Sequence, residues 1–330
     1  MELNRLNKIL IIRLSSLGDI LLTTPVIRSL KKRNPNLEIH FMLREQYSEI
    51  LENNPHISKL IKLNKDYHPK SVAQELRSEG YDLIVDLQNN IRSHKINKAL
   101  KIPAVRYNKP YFKRFALVHF KQNYYKSVMA IPERYAEAVS EDLLDDKGLE
   151  LFIPNEFSTQ LEEDNNYIAF CPGSRHYTKM WPIINYIELG KLLVKDRYKI
   201  VLLGGSDDIE SCEIISSNID DSINLCSDNN LFQTSADMQK CKLVICNDSG
   251  LMHIASALNV PLVSFFGSTV KEFGFSPYKC KNLVLENNSL SCRPCSHIGR
   301  NSCPKKHFNC MKEITPSIAY KNISEFITTL

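Results

Sequence analysis

The sequence predicts an α/β protein built from two doubly wound halves. Three observations carry that expectation. Short apolar runs alternate with helical patterns along nearly the whole chain, which implies βαβ units and parallel sheets. The alternation restarts after residue 155. Polar turns, several containing glycine, follow the strand runs in both halves, where doubly wound proteins hold their ligands.

In the first half, strands are expected at 8–13, 37–42, 59–63, 82–86 and 104–106, with helices at 19–33, 47–53, 69–79 and 92–100. In the second, strands are expected at 167–171, 199–203, 222–225, 243–246 and 262–265. Helices are expected there at 183–195, 207–216, 231–240 and 250–258, and a last helix at 316–330 closes the chain. The boundary falls within 145–166, where Asp, Glu, Asn and Ser are dense, giving domains of 1–155 and 156–330. At 330 residues and 43% hydrophobic content the chain can bury two cores.

Composition narrows the function. A net charge of +5 suits an anionic ligand or membrane surface and is too dispersed to argue for nucleic acid. No apolar run approaches the ~18 residues of a membrane span. The polar opening followed by the short run Ile9 to Ile12 reads as a first strand rather than a leader, so a cytoplasmic protein is expected. No G-x-G-x-x-G follows the first strand, which disfavours a dinucleotide oxidoreductase.

The turn Asn247-Asp248-Ser249-Gly250 leads from a buried strand into a helix and offers backbone N–H groups to a phosphate. His253 lies one turn further on; it is a phosphate donor or a buried structural histidine. Asp248 beside a phosphate is electrostatically wrong, so a helix cap or a contact to a sugar hydroxyl is the better reading. A second loop, Pro172-Gly173-Ser174-Arg175, has the same character, with Lys179 four residues on. Trp181-Pro182 reads as packing and a helix start. After the strand at 199–203, Asp208, with Glu210 second, is the candidate for ribose hydroxyls; acidic residues in a helix's first turn explain it equally well. The base is expected near Asn229 to Leu231.

The loop Arg13-Leu14-Ser15-Ser16-Leu17-Gly18-Asp19 ends the first strand. By position alone Asp19 reads as a helix-capping residue before it reads as a general base. The run from Ile11 to Pro25 resembles the opening of glycosyltransferase family 9, the ADP-heptose:lipopolysaccharide heptosyltransferases of Gram-negative bacteria. Asp82 to Gln88 with Arg92-Ser93 is similar to the family's second signature, and the 171–182 and 247–255 blocks are similar to its donor-site signatures. The four motifs occur in the expected order over nearly the whole chain.

That resemblance implies a GT-B fold of two Rossmann-like domains facing a central cleft. It implies acceptor bound by 1–155, sugar nucleotide by 156–330, and inversion at the anomeric carbon without a metal ion. By the same resemblance Asp19 is the base and Lys179 meets the pyrophosphate. Ser174, Arg175, Asp208, Asp248, Ser249, Gly250 and His253 are the expected donor contacts. No cofactor is required, and ADP-heptose is the donor substrate. Ser15, Ser16, Arg92 and Arg134 are the expected acceptor contacts, with Arg13, Ser93, Lys113 and Arg114 as further groups able to meet carboxylates and phosphates. The partner is a lipopolysaccharide-precursor glycolipid at the inner-membrane surface, with the enzyme on the cytoplasmic face. Two alternatives remain: a family 9 transferase with another donor or acceptor, and a non-catalytic sugar-nucleotide-binding protein.

Two segments stay open. Residues 111–121 mix aromatics with cations and read either as a membrane or acceptor-docking element or as a partly buried amphipathic one. Cys292, Cys295, Cys303 and Cys310 form either a structural zinc set or reduced thiols packing a loop.

Overall fold

The computed structural model describes residues 3–163, 166–228 and 230–330. In chain order its strands and helices are β1 (Lys8–Ile12), α1 (Leu17–Leu21), α2 (Thr24–Arg33), β2 (Glu38–Arg44), α3 (Glu49–Glu52), β3 (Lys59–Leu63), α4 (Pro69–Leu76), β4 (Leu83–Asp86), α5 (Ile91–Leu100), β5 (Ala104–Arg106), α6 (Tyr111–Phe120) and α7 (Ile131–Ala136). They continue with β6 (Tyr167–Cys171), α8 (Ile183–Lys195), β7 (Lys199–Leu202), α9 (Ile209–Ser216), β8 (Ile223–Asn224), α10 (Leu231–Gln239), β9 (Leu243–Asn247), α11 (Gly250–Ala257), β10 (Leu262–Phe266), β11 (Asn282–Glu286), α12 (Asn309–Lys312) and α13 (Pro316–Ile327). The chain divides into two compact units. The first comprises Met1–Pro110 and Met129–Phe152; the second comprises Tyr111–Val128 and Ile153–Leu330. The turn of the chain at 152–153 lies close to the expected boundary. The return of 111–128 to the second unit was not expected from the sequence.

The first unit holds a parallel sheet in the order β3-β2-β1-β4-β5. Its central strand β1 is apolar, as suits a strand buried within a parallel sheet, and Ile9 to Ile12 are wholly buried. The chain winds outward from β1 to β3 and then crosses to β4, so the direction of winding reverses between β1 and β4. Ligands of such sheets bind where that reversal opens a crevice at the strands' C-terminal ends. The loop after β1 and the loop after β4 therefore form this unit's natural site. The helix expected over 19–33 is two helices. Thr23 and Thr24 turn their hydroxyls onto the carbonyls of Ile20 and Leu21. Pro25 has no N–H to continue the ladder, and α2 begins afresh with it near its start.

The second unit holds a parallel sheet in the order β11-β10-β9-β6-β7-β8. Here the winding reverses between β6 and β9, so the loops after these two strands share the switch point. The strand expected at 222–225 is only Ile223–Asn224, and β11 extends the opposite edge beyond the five strands expected. The core beneath the site is aromatic. Trp181 stacks on Phe265 at 4.1 Å between centroids, with Tyr186 edge-on to both. The Trp181 indole N–H donates to the Ile314 carbonyl at 2.9 Å, joining the core to the segment before α13.

Candidate active site

In the first unit, β1 ends in Arg13, whose side chain is buried. Its guanidinium donates to the Leu87 carbonyl at 2.8 Å and pairs with the Asp19 carboxylate at 2.6 Å. Its planar face lies 5.6 Å from the centre of the Tyr135 ring. Asp19 occupies the first turn of α1 and accepts from the Ser16 N–H at 3.2 Å and the Ser16 hydroxyl at 2.8 Å. Asp19 is the third residue of α1 and braces its N-cap Ser16, and its side chain remains 18% exposed. Burial pushes its pKa up, but the adjacent Arg13 charge and the hydrogen bonds from Ser16 and Arg13 outweigh that. The carboxyl ends below its ordinary value and is ionised at neutral pH.

The loop after β4 builds the platform for this arrangement. Asp86 is fully buried and accepts from the N–H groups of Gln88 and Asn89 and from the Asn97 amide. Gln88 in turn accepts from the backbone N–H groups of Leu14 and Ser15. The second N-terminal motif thus holds the first one in place. Gln88 and Tyr135 are site residues that sequence reasoning missed. A polar residue two positions past the end of β4, within the second motif, was the available signal for Gln88; Tyr135 carried none.

The expected acceptor residues are placed differently from one another. Ser15 is partly exposed, and Ser16 is exposed with its hydroxyl committed to Asp19. Arg92 is exposed at the start of α5, where Asn90 caps the Arg92 and Ser93 N–H groups. Arg134 is buried within α7, beside Tyr135.

In the second unit, the loops after β6 and β9 are tied together. Asn247 donates to the Pro172 carbonyl at 2.6 Å and accepts from the Trp181 N–H at 2.9 Å. The Ser174 hydroxyl donates to the Asp248 carbonyl at 3.4 Å. Asp248 does not cap α11; Ser249 holds that position. Instead the buried Asp248 carboxylate pairs with Lys179 at 2.8 Å and accepts from the Thr269 hydroxyl at 2.6 Å. The Lys179 cation neutralises the Asp248 carboxylate. Gly250 opens α11, the buried Ser249 hydroxyl oxygen has no hydrogen-bond partner among the described residues, and His253 is buried one turn into the helix. Arg175 is exposed.

Asp208 packs against the loop after β6. A Cβ on Gly173 would lie 1.9 Å from its carboxylate, and one on Gly204 would lie 2.7 Å from its own Cβ. Glycine at both positions is therefore a requirement of close approach. Burial raises the Asp208 pKa, the Gly205 N–H partly offsets this, and Asp207 adds to it. Of the segment expected near the base, Asn229 lies outside the described residues. The Asn230 side chain caps α10 by accepting from the Phe232 N–H.

The cysteine-rich segment braces the loops after β6 and β10. Thr178 exchanges hydrogen bonds with Arg300, at 3.0 Å and 2.8 Å, and its hydroxyl donates to Ser268. Gly299, with φ +124°, lies so close to His176 that a Cβ would clash at 2.5 Å. Buried Arg293, also unforeseen, gathers the carbonyls of Phe266, Gly267, Thr269 and Asn287 and pairs with Glu286. All ten cysteines are free thiols. Cys292 lies 3.9 Å from His307 Nε2, and among the described residues no group of three or more His, Cys, Asp or Glu is placed to hold a metal ion.

Comparison with known proteins identifies the family and the fold. The model of glycosyltransferase family 9 (heptosyltransferase) matches residues 70–306. The lipopolysaccharide heptosyltransferase 2 of Escherichia coli K12 is 28% identical over 81% of this chain and 84% of its own. A glycosyltransferase family 9 structure from Veillonella parvula superposes with a TM-score of 0.81 at 23% identity, covering 100% of this chain and 99% of that one. The structure of an E. coli ADP-heptose lipopolysaccharide heptosyltransferase II superposes with a TM-score of 0.74 at 24% identity, over 98% and 99%. The two parallel-sheet units are those of a GT-B fold. The chain belongs to glycosyltransferase family 9, the heptosyltransferase family, and is a glycosyltransferase.

Proposed function

We propose that this enzyme transfers a heptose from ADP-heptose to the inner core of lipopolysaccharide, onto Kdo or an existing heptose, with inversion and without a metal ion. The observation that carries the proposal is the Asp19 carboxylate, held ionised at the first sheet's switch point by Arg13 and Ser16. Names of relatives support the substrate class.

In this reading residues 1–155 take the acceptor and 156–330 the donor. Asp19 removes the proton from an acceptor hydroxyl as that oxygen attacks the anomeric carbon. The bond from that carbon to the diphosphate breaks, ADP departs, and a single displacement inverts the centre. Lys179 turns from Asp248 to the departing diphosphate, whose developing charge it stabilises. Thr269 keeps Asp248 in place. The Ser249 and Gly250 N–H groups, the Ser174 and Ser249 hydroxyls, Arg175 and His253 supply further donors, and Asp208 accepts from the ribose. Ser15, Ser16, Arg92 and Arg134 meet the acceptor, whose carboxylates and phosphates suit arginine. No described helix is long and apolar enough to cross a membrane; the enzyme works at the cytoplasmic face on a membrane-borne acceptor.

The test is product mass after incubation with ADP-heptose and Kdo- or heptose-terminated acceptors, with calorimetric titration of ADP. Transfer with inverted configuration in the presence of chelator supports the proposal. Failure to bind ADP, or turnover only with another nucleotide sugar in a thermal-shift panel, refutes the donor assignment.

A further inference from the structure

The charge of this chain is not spread evenly. Between Asp86 and Glu133 there is no acidic residue, while ten Lys and Arg occur. Ten is twice the net charge of the whole chain, +5, so the remainder is net acidic. Within this stretch lies the excursion 111–128, which the second unit claims.

One face of α6 anchors the excursion. Ala116 and Leu117 are buried, Lys121 Nζ donates to the carbonyls of Cys292 and Pro294, and Asn123 donates to Glu272. The rest of the segment leaves a group of aromatic side chains that the described residues do not cover. Tyr111, Phe112, Phe115 and Phe120 are 61%, 71%, 54% and 64% exposed, and Tyr124 and Val128 nearly half. Their rings touch one another, Phe112 with Tyr124 and Phe115 with Phe120. Cations border the rings: the Arg114 guanidinium lies 5.0 Å from the Tyr111 centroid and Lys113 Nζ lies 5.8 Å from that of Tyr125. Lys126 is also exposed.

Exposed aromatics on a short helix, with Lys and Arg among them and no acidic residue in the segment itself, match one environment. Rings enter the boundary between headgroups and acyl chains while cations stay at anionic headgroups. At ten residues α6 is too short to span a bilayer. We infer that α6 and the segment to Val128 dock the enzyme flat on a bilayer surface containing anionic lipid. The inference rests on the proposed function in that the acceptor is membrane-borne, and it assigns the contact to an element outside both half-sites.

The test is co-flotation of the full-length protein with vesicles of phosphatidylcholine, alone or mixed with phosphatidylglycerol. Binding to the mixed vesicles only, weakened by salt, is expected. Lys113→Glu with Arg114→Glu should lower partitioning on the order of thirty-fold or more. Phe112→Ser with Phe120→Ser should lower it roughly ten-fold or more. Because both phenylalanines are exposed, the second pair should melt like the wild type and keep its rate on a water-soluble acceptor lacking acyl chains, while losing rate on a vesicle-embedded one. Equal binding to neutral vesicles, no binding to mixed ones, a patch-dependent dimer on size exclusion, or binding of single-stranded oligonucleotides in place of vesicles would each overturn the inference. Vesicle binding by a wild type that fails on the soluble acceptor would instead count against the proposed reaction and leave the docking surface standing.

Discussion

Replacing Asp19 with Asn tests the chemistry and the electrostatics of the first half-site together. The substitution keeps the shape and removes the charge. At 2.6 Å the Arg13–Asp19 attraction is about 6 kcal/mol at an effective dielectric constant of about 20. Desolvation of both groups offsets much of that. The net cost of the mutation is set by what is left behind, a guanidinium with 8% of its side chain exposed and no counter-charge. Breaking one partner of a buried pair costs about 3–5 kcal/mol. Arg13 retains the Leu87 carbonyl and the Tyr135 ring, which places the expected loss near the lower end, about 3 kcal/mol. Against a typical stability of about 5–15 kcal/mol the protein stays folded at assay temperature.

Transfer should then fall by about 10²–10⁴, the usual contribution of a positioned base. ADP affinity should not change, because the loops proposed to bind the donor belong to the other unit. Product mass measures the first and calorimetry the second. The pH dependence follows from the depressed pKa of Asp19. Its stability contribution is fully present above the unfolded value of about 3.9 and is lost as pH falls through the lower folded value. The stability gap between wild type and Asp19→Asn should therefore close only in strong acid. Arg13→Met removes the main charge holding the pKa down, so the acid limb of kcat/KM should move upward. Turnover in Asp19→Asn within about three-fold of wild type would refute the assignment of the base, since even the weakest general-base effects exceed that. An acid limb that Arg13→Met leaves unmoved would refute the electrostatic account.

Three further outcomes are expected. Lys179→Met should lower kcat by about 10²–10³ with a smaller effect on ADP affinity, because its charge matters most as the diphosphate departs; single-turnover kinetics with donor titration measures both. Gly173→Ala drives a methyl into the Asp208 carboxylate and should cost about 1–3 kcal/mol, with Asp208→Ala partly restoring the melting temperature. Trp181→Ala removes the ring stacked on Phe265 and the bond to Ile314. It should cost about 3–5 kcal/mol in denaturant unfolding while leaving the first unit's transition in place.

Much of this architecture was legible because buried parallel strands must be apolar throughout, so runs such as Ile9 to Ile12 and Leu243 to Cys246 stand out against amphipathic helices. The break at Thr23-Thr24-Pro25 was written in the sequence as well: two hydroxyls able to turn back on the preceding turn and a proline without a donor. What periodicity could not carry was adjacency. Nothing local says that β1 lies beside β4, or β6 beside β9. Both half-sites exist only because of those pairings, which bring Gln88 under Leu14 and Asn247 against Pro172. For the same reason the sequence singles out Lys179 and Asp248 without pairing them, and leaves Asp248 as a helix cap or a contact to a sugar hydroxyl. Its partner lies 69 residues away in the chain, and the pairing exists because both loops share one switch point. Arg293 carried no signal, since an arginine in an irregular cysteine-rich stretch looks like surface until four carbonyls converge on it. Asp86, Gln88 and Asn247 suggest a rule for doubly wound chains. A polar residue at the last position of an apolar strand, or just beyond it, marks a tie between neighbouring loops, and such ties locate the switch point before any catalytic residue is known.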